Sequence, residues 1–438
     1  MKKISKKWFV VIGIIIFILI YKVISIIPLA IDTPRELKPG ISKDGTYEVV
    51  GKMNIPRSYH QSSLLNDGRV LITGGYDGSY CKSKEKCSGT NSTEIYNPKT
   101  KTFTMGPNMS LPHLYHKQFT LNSGKVVIVD INGIEIYDPE TNIFKLFPET
   151  IRQRMPGPNF INYALLPNDT ILVTGGAVAR PKSGIPWPVS WAEIIDIKNK
   201  KVIKLPDMNV ARMNHSTILM NNKIYIIGGY SHTNNCNIVE EFDPKAKIFK
   251  IVGDIKFCLS NPYLKAINKD DFLILYGQSG NLGNNYIQTY STKVNKLVES
   301  IPVDYNNSSS NILLSDFYQK QQLINDELFI VDYEILDKTM SYFTIAEKNK
   351  NYKYSLKTNT LTPLKTKYRI PLFANLINLP DNQILVTGGM NEKEMYKEVQ
   401  LHKFLSTGLE DFMPSCYYYF CPYPRFISDT AFIIERSK

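Results

Sequence analysis

RSYHQSSLLNDGRVLITGG, residues 57–75, stops a short apolar run on two adjacent glycines, and nearly the same wording returns as LLPNDTILVTGG at 165–176 and INLPDNQILVTGG at 377–389. Four β-type runs end in this way: VLIT before Gly74 and Gly75, ILVT before Gly175 and Gly176, YII before Gly228 and Gly229, and ILVT before Gly388 and Gly389. No helix pattern follows any of them, so a phosphate-binding glycine loop is excluded. A glycine at a strand end serves a bulge, or a close backbone approach where a Cβ would clash.

A second marker follows the glycines at a fixed interval. Tyr96 and Phe103 in EIYNPKTKTF, Tyr137 and Phe144 in EIYDPETNIF, and Phe242 and Phe249 in EEFDPKAKIF are each seven residues apart, as are Ile195 and Val202, Tyr290 and Leu297, and Tyr354 and Leu361. The marker recovers units whose glycines have eroded, near Asp130, Gly277 and Val331. Seven units of about 52 residues result, close to the period of a four-stranded repeat. Polar turns such as NDG, PND and NNK divide the first two strands, and NPKT, DPET and DPKA divide the last two.

Short strands joined by tight polar turns cannot bury their faces alone, so they stack as sheets around an axis. On the glycine pair and the aromatic pair together, the span Thr46–Phe404 resembles a kelch β-propeller, and the wording at 57–75 is similar to blades of the central domain of galactose oxidase. The fold class expected from this resemblance is an all-β, seven-bladed kelch-type propeller. Tyr47–Met53 reads as an outermost strand lacking its three partners: Met53 lies six residues after Tyr47, as Met109 does after Phe103 and Met208 after Val202. It is expected to close the ring by completing a last blade whose other strands come from about Leu372 to Phe404.

The N-terminus adds a second element. Lys2, Lys3, Lys6 and Lys7 precede an apolar run from Trp8 to Ile20 that resumes as VISIIPLA to Ala30, a length that approaches the roughly 20 residues of a membrane span. Ala30, behind Pro28 and Leu29, makes a poor cleavage site. The expected organisation is a cytoplasmic basic stub at 1–7, a signal anchor or transmembrane helix at 8–30, a linker at 31–43, the propeller at 44–404 outside the cytoplasm, and a cysteine-containing extension at 405–438. Should the apolar segment be cleaved, the protein is secreted. Six cysteines suit an oxidising compartment, with Cys81–Cys87, Cys236–Cys258 and Cys416–Cys421 as candidate disulfides. No paired C-x-x-C element supports zinc.

Net charge is +12, but five lysines precede the first acidic residue and the remainder is dispersed, which argues against nucleic acid as a partner. Function is expected on the face carrying the long connections between second and third strands, such as YDGSYCKSKEKCSGTNS, AVARPKSGIPWPVSW and YSHTNNCN. Candidate ligand contacts there are Arg57, Tyr59, His60, His113, His116, Arg180, Trp187, Trp191, Arg212 and His215, aromatics and cations suited to a sugar or an acidic ligand. His60, His116 and His215 share a repeat position, which equally fits a structural hydrogen bond. The resemblance to galactose oxidase implies copper ligands at Tyr59, His60, Tyr115, His116 and Tyr318. Against copper, the β-domain that supplies a further histidine is absent and Cys258 is out of register. A sugar-acid mutarotase or epimerase is the other enzymatic expectation. The leading one is a binding module for a protein or a glycan, with no cofactor.

Overall fold

The chain divides into two compact units, Met1–Pro39 and Gly40–Lys438. The computed structural model describes residues 40–41, 47–77, 89–157, 159–181, 184–233, 235–275, 286–302, 322–324, 327–332, 350–355, 360–363, 374–380, 383–389 and 430–434. The expected anchor at 8–30, the Cys81–Cys87 and Cys416–Cys421 pairs and Tyr318 lie outside these residues. Among the described residues no helix is long and apolar enough to cross a membrane.

Among the described residues the second unit is all-β. Its first sheet is a meander of Gln61–Leu64, Val70–Thr73, Thr93–Asn97 and Thr102–Met105. The second contains Lys117–Thr120, Val126–Val129, Ile134–Asp138 and Ile143–Leu146, and the third Ile161–Leu165, Thr170–Gly175, Ala192–Asp196 and Lys201–Lys204. Met213–Met220 to Ile248–Asp254 form the fourth, Tyr263–Ala266 to Lys296–Pro302 the fifth, and Gln322–Ile324 to Thr360–Pro363 the sixth, each a meander of four antiparallel strands. A further sheet orders Asn375–Asn378, Ile384–Thr387, Thr430–Ile434, Tyr47–Lys52 and Gly40–Ile41, so its strands come from both ends of the unit.

The repeat markers translate directly into register. All six pairs seven residues apart face each other across the third and fourth strands of their sheets: Tyr96 and Phe103, Tyr137 and Phe144, Ile195 and Val202, Phe242 and Phe249, Tyr290 and Leu297, Tyr354 and Leu361. The ring pairs lie with centroids 4.6, 4.9 and 4.7 Å apart, a spacing at which aromatic rings attract beyond simple burial. Second strands such as Val70–Thr73 and Val126–Val129 are buried along their whole length, whereas the fourth strand Thr102–Met105 is mostly exposed. A strand with partners on both sides and sheets above and below needs continuous apolar sequence, and VLIT and VVIV supply it.

Consecutive sheets bury their cores against each other. Leu71 and Ile95 pack with Val126 and Tyr137 between the first and second sheets, Val127 and Ile134 with Ile171 and Ile195 between the second and third, and Leu172 with Ile224 and Phe242 between the third and fourth. The same contact joins the last sheet to the first, where Val50, Met53, Leu379 and Leu385 pack on Val70, Ile72 and Tyr96. Met53, Met109 and Met208, the repeated methionines, are all buried. Truncating one such buried aliphatic residue to alanine costs roughly 2–5 kcal/mol.

The glycine pairs are explained by this packing. Gly74, Gly175, Gly228 and Gly388 have φ of 57, 61, 72 and 61°, the left-handed region. A Cβ on Gly74 would lie 2.6 Å from the carbonyl oxygen of His113 in the next sheet; on Gly175, Gly228 and Gly388 it would strike the carbonyl oxygens of Arg212, Leu259 and Arg57. The following glycine donates its N–H to that same carbonyl: Gly75 to His113 (2.9 Å), Gly176 to Arg212 (3.1 Å), Gly229 to Leu259 (2.7 Å) and Gly389 to Arg57 (2.9 Å). Three of these bonds join successive sheets and the fourth joins the last sheet to the first, as a β-propeller requires.

Closure differs from the expectation in one strand. Tyr47–Lys52 does complete the last sheet, but its neighbour is Thr430–Ile434, which the sequence reading leaves in an extension beyond the propeller. The boundary at 404 is therefore corrected. Ile434 stands opposite Tyr47 and Ile384, the position the aromatic marker holds elsewhere. The physical reason is pattern: a central strand is served by the uninterrupted TAFII and poorly by EVQLHKF at 398–404, where polar residues interrupt the run.

Candidate functional site

The segments entering the first four sheets each carry a cation, whereas Leu259 holds the equivalent place before the fifth. Arg57, His113, Arg154 and Arg212 occupy this place, and all four are buried. Arg57 donates to the Gly74 carbonyl at 2.9 Å, to the Ser92 carbonyl at 3.2 Å and to Glu94 Oε1 at 3.1 Å. Arg212 repeats this with the carbonyls of Gly228 (2.8 Å) and Ile238 (3.1 Å) and with Glu240 (3.0 Å), and Arg154 with Gly175 (2.7 Å) and Glu193 (2.7 Å). Each glutamate also accepts backbone N–H groups of the entering segment, Glu94 from Asn54 and Ile55, Glu240 from Asn209 and Val210. Burial lowers the pKa of Arg57 and Arg212, and the facing glutamates oppose that shift. The opposite charge and the several hydrogen bonds from its partners make the buried pair tolerable, although Nε of Arg57 and of Arg212 has no hydrogen-bond partner among the described residues.

In the second sheet His113 holds this place. It lies 3.1 Å from Asp130 through Nδ1 and 3.3 Å from Glu135 through Nε2. Burial disfavours its charge, but the hydrogen bonds to Asp130 and Glu135 outweigh burial and raise its pKa to about 9.

These positions are a correction to the ligand-binding expectation: Arg57, His113 and Arg212 face protein groups inside the fold. So do three other candidates. His60, His116 and His215 direct Nε2 at the hydroxyls of Thr387, Thr73 and Thr174 in the preceding sheet, each at 2.8 Å, and all are buried. The histidines that copper ligation would draw on are thus engaged between sheets, and the described residues contain no cluster of three or more His, Cys, Asp or Glu arranged to hold a metal. Tyr59 and Tyr115 have φ of 55 and 58°, and their rings meet edge-on with centroids 4.9 Å apart. Trp191 lies beneath Arg152 and Arg154, with guanidinium carbons 4.8 and 5.5 Å from its ring centroid.

The remaining candidates, Arg180 and Trp187, stand apart in solvent. The connection between the second and third strands of the third sheet folds into a small hairpin, Ala177–Ala179 paired with Pro186–Pro188. It presents Trp187, 38 % exposed, beside Ile185 at 56 %. The His232 ring, from the equivalent connection of the fourth sheet, stacks on Trp187 with centroids 3.6 Å apart. Arg180 places its guanidinium carbon 4.8 Å from the same indole, and Tyr230, 45 % exposed, packs edge-on against His232 at 5.2 Å. The tyrosine hydroxyl and His232 Nδ1 are 3.2 Å apart.

A disulfide ties the connection bearing Tyr230 and His232 to the segment leading into the fifth sheet: Cys236 and Cys258, with Cα atoms 5.0 Å apart. Hairpin and disulfide together hold four exposed side chains of two neighbouring sheets in one array, at little ordering cost on binding.

Sequence reasoning missed Arg154, the four glutamates, Tyr230 and His232. The glutamates had a signal, since Glu94, Glu135, Glu193 and Glu240 each precede the third-strand marker by two residues. Tyr230 and His232 had none, because their role depends on a neighbouring sheet's loop.

Comparison with known proteins agrees with the repeat. The Kelch motif family matches residues 57–110 and 211–254, which contain the first and fourth sheets together with Arg57 and Arg212. Kelch-like protein 25 of Xenopus tropicalis is 22 % identical over 246 residues, 51 % of this chain and 39 % of the relative. The match thus spans about two-fifths of the relative's length.

Proposed function

We propose that this kelch-repeat protein is a seven-bladed propeller, exported and held at a membrane by residues 8–30, that binds a partner protein through the surface built on Trp187. The observation that carries this reading is the exposed stack of Trp187 on His232, flanked by Arg180 and Tyr230. Tryptophan, tyrosine and arginine are the side chains that dominate binding energy at protein interfaces. The disulfide supports a compartment outside the reducing cytosol. The mutarotase alternative would draw its arginine and histidine from the buried entering segments, and nothing in their geometry favours it.

A photo-crosslinking residue at Ile185 tests the reading on intact cells producing the full chain. Discrete protein adducts are expected from position 185, lost when Trp187 and Tyr230 are both changed to alanine, and absent from a control at Met105 on the outer strand of the first sheet. Adducts of the same pattern from both positions would refute it.

A further inference from the structure

Six arginines lie among the described residues, and five of them pair with carboxylates: Arg57 with Glu94, Arg69 with Asp67, Arg152 and Arg154 with Glu193, and Arg212 with Glu240. Arg180 is the exception among the described residues. It is exposed, lies over Trp187 and faces no described carboxylate. The sequence at 177–191 and 230–237, whose described residues include Arg180 and His232, has not one Asp or Glu. A guanidinium held over an indole keeps its fork of donors in a fixed plane, ready for a bidentate carboxylate.

The aromatic component narrows the ligand further. A sugar ring needs an open aromatic face, but the Trp187 ring is already stacked by His232 at 3.6 Å and approached by Arg180 at 4.8 Å. This array also offers the exposed surfaces of Ile185, Trp187 and Tyr230. Those surfaces suit an apolar side chain next to a charged one.

We propose that the partner docks through an acidic peptide segment, one carboxylate seated on Arg180 and a neighbouring apolar residue against Ile185, Trp187 and Tyr230; this rests on the reading that the surface binds a protein.

The test uses the full chain in detergent micelles as bait for a display library of random peptides. The enriched pool is expected to be acidic, with an apolar residue beside Asp or Glu. Affinity for an enriched peptide should fall about tenfold or more in Arg180→Glu and only a few-fold in Arg180→Lys. It should also weaken as salt rises from roughly 50 to 500 mM, because exposed charges are screened over that range. An unchanged unfolding midpoint in both variants separates binding from folding. A neutral or basic pool whose binding is lost in Trp187→Ala would overturn the acidic proposal and leave the protein-binding surface standing. Peptides that bind equally well to Trp187→Ala and Arg180→Glu would overturn both.

Discussion

The first and second sheets fill one structural slot with different chemistry. In the first, Gly74 and Gly75 end the second strand, Arg57 bridges the Gly74 carbonyl and Glu94, and Gly75 bonds the next sheet's entering segment before a long connection to Thr93. In the second, Asp130 stands where the glycine would be and the chain turns back at once, with Asp130 Oδ1 accepting from the backbone N–H of Asn132 and Gly133. Its other oxygen faces His113 and accepts from Leu114 of the same sheet. The glycine pair is therefore a demand of the neighbour whose carbonyl it touches, and a β-strand end as such does not require it. Where the connection shortens to a tight turn, a carboxylate takes the glycine's place and a histidine the arginine's. The substitution has a cost: arginine stays charged at any pH a protein tolerates, and histidine does not.

The comparison can be tested at its most rigid point first. Gly388→Ala would push a Cβ into the Arg57 carbonyl at a left-handed φ, in the contact that joins last sheet to first. The expected loss is more than about 4 kcal/mol, or outright failure to fold, read from urea midpoints. Gly68→Ala is the control, since its φ is also positive but nothing lies within 4 Å; it should cost only about 1–2 kcal/mol of strain.

Removing the carboxylates comes next. Glu94→Ala leaves Arg57 buried and unpaired and should cost about 3–5 kcal/mol at every pH between 6 and 10. Glu135→Ala should be comparably damaging near pH 6, with its penalty shrinking as pH rises and His113 loses its proton. Equal and pH-independent penalties at both sites would erase the distinction between the sheets.

His113 gives the third test. Its folded pKa, about 9, lies above the ordinary histidine value of 6.5, so the folded state holds more protons than the unfolded one between those values. The stabilisation is complete below about pH 6.5 and is lost as pH rises through 9, by up to about 3 kcal/mol. Chemical denaturation from pH 6 to 10 should show this decline, and His113→Asn should flatten it. The smallest effect belongs to Trp187→Ala, which should change stability by under about 0.5 kcal/mol, because its ring meets solvent and other exposed groups.

The same contrast separates what could be read from sequence from what could not. Strand pairing was legible because hairpins are local: residues seven apart across a tight turn, such as Tyr96 and Phe103, had to face each other. The third strand of the closing sheet was not, since Thr430 follows Thr387 by 43 positions and no turn chemistry links them. At the site, Arg57 and Arg212 look in sequence like charged residues on a binding face. Only their recurrence ahead of Glu94 and Glu240 betrays a buried pair, because burial of a cation is decided by a partner far along the chain. Arg180 looks the same letter by letter, and its solvent exposure follows from a hairpin specific to one sheet.

The sheet that joins Tyr47–Lys52 to Thr430–Ile434 also sets a timetable for biosynthesis. A ribosome finishes the outer strand almost four hundred codons before the strand it must pair with, so the early sheets mature one after another while this edge waits. This sheet can be completed only after Thr430–Ile434 has emerged. A stop codon ahead of Thr430 would therefore deprive the oldest strand of its partner toward Ile384–Thr387, and proteolytic clearance of such fragments is the expected fate.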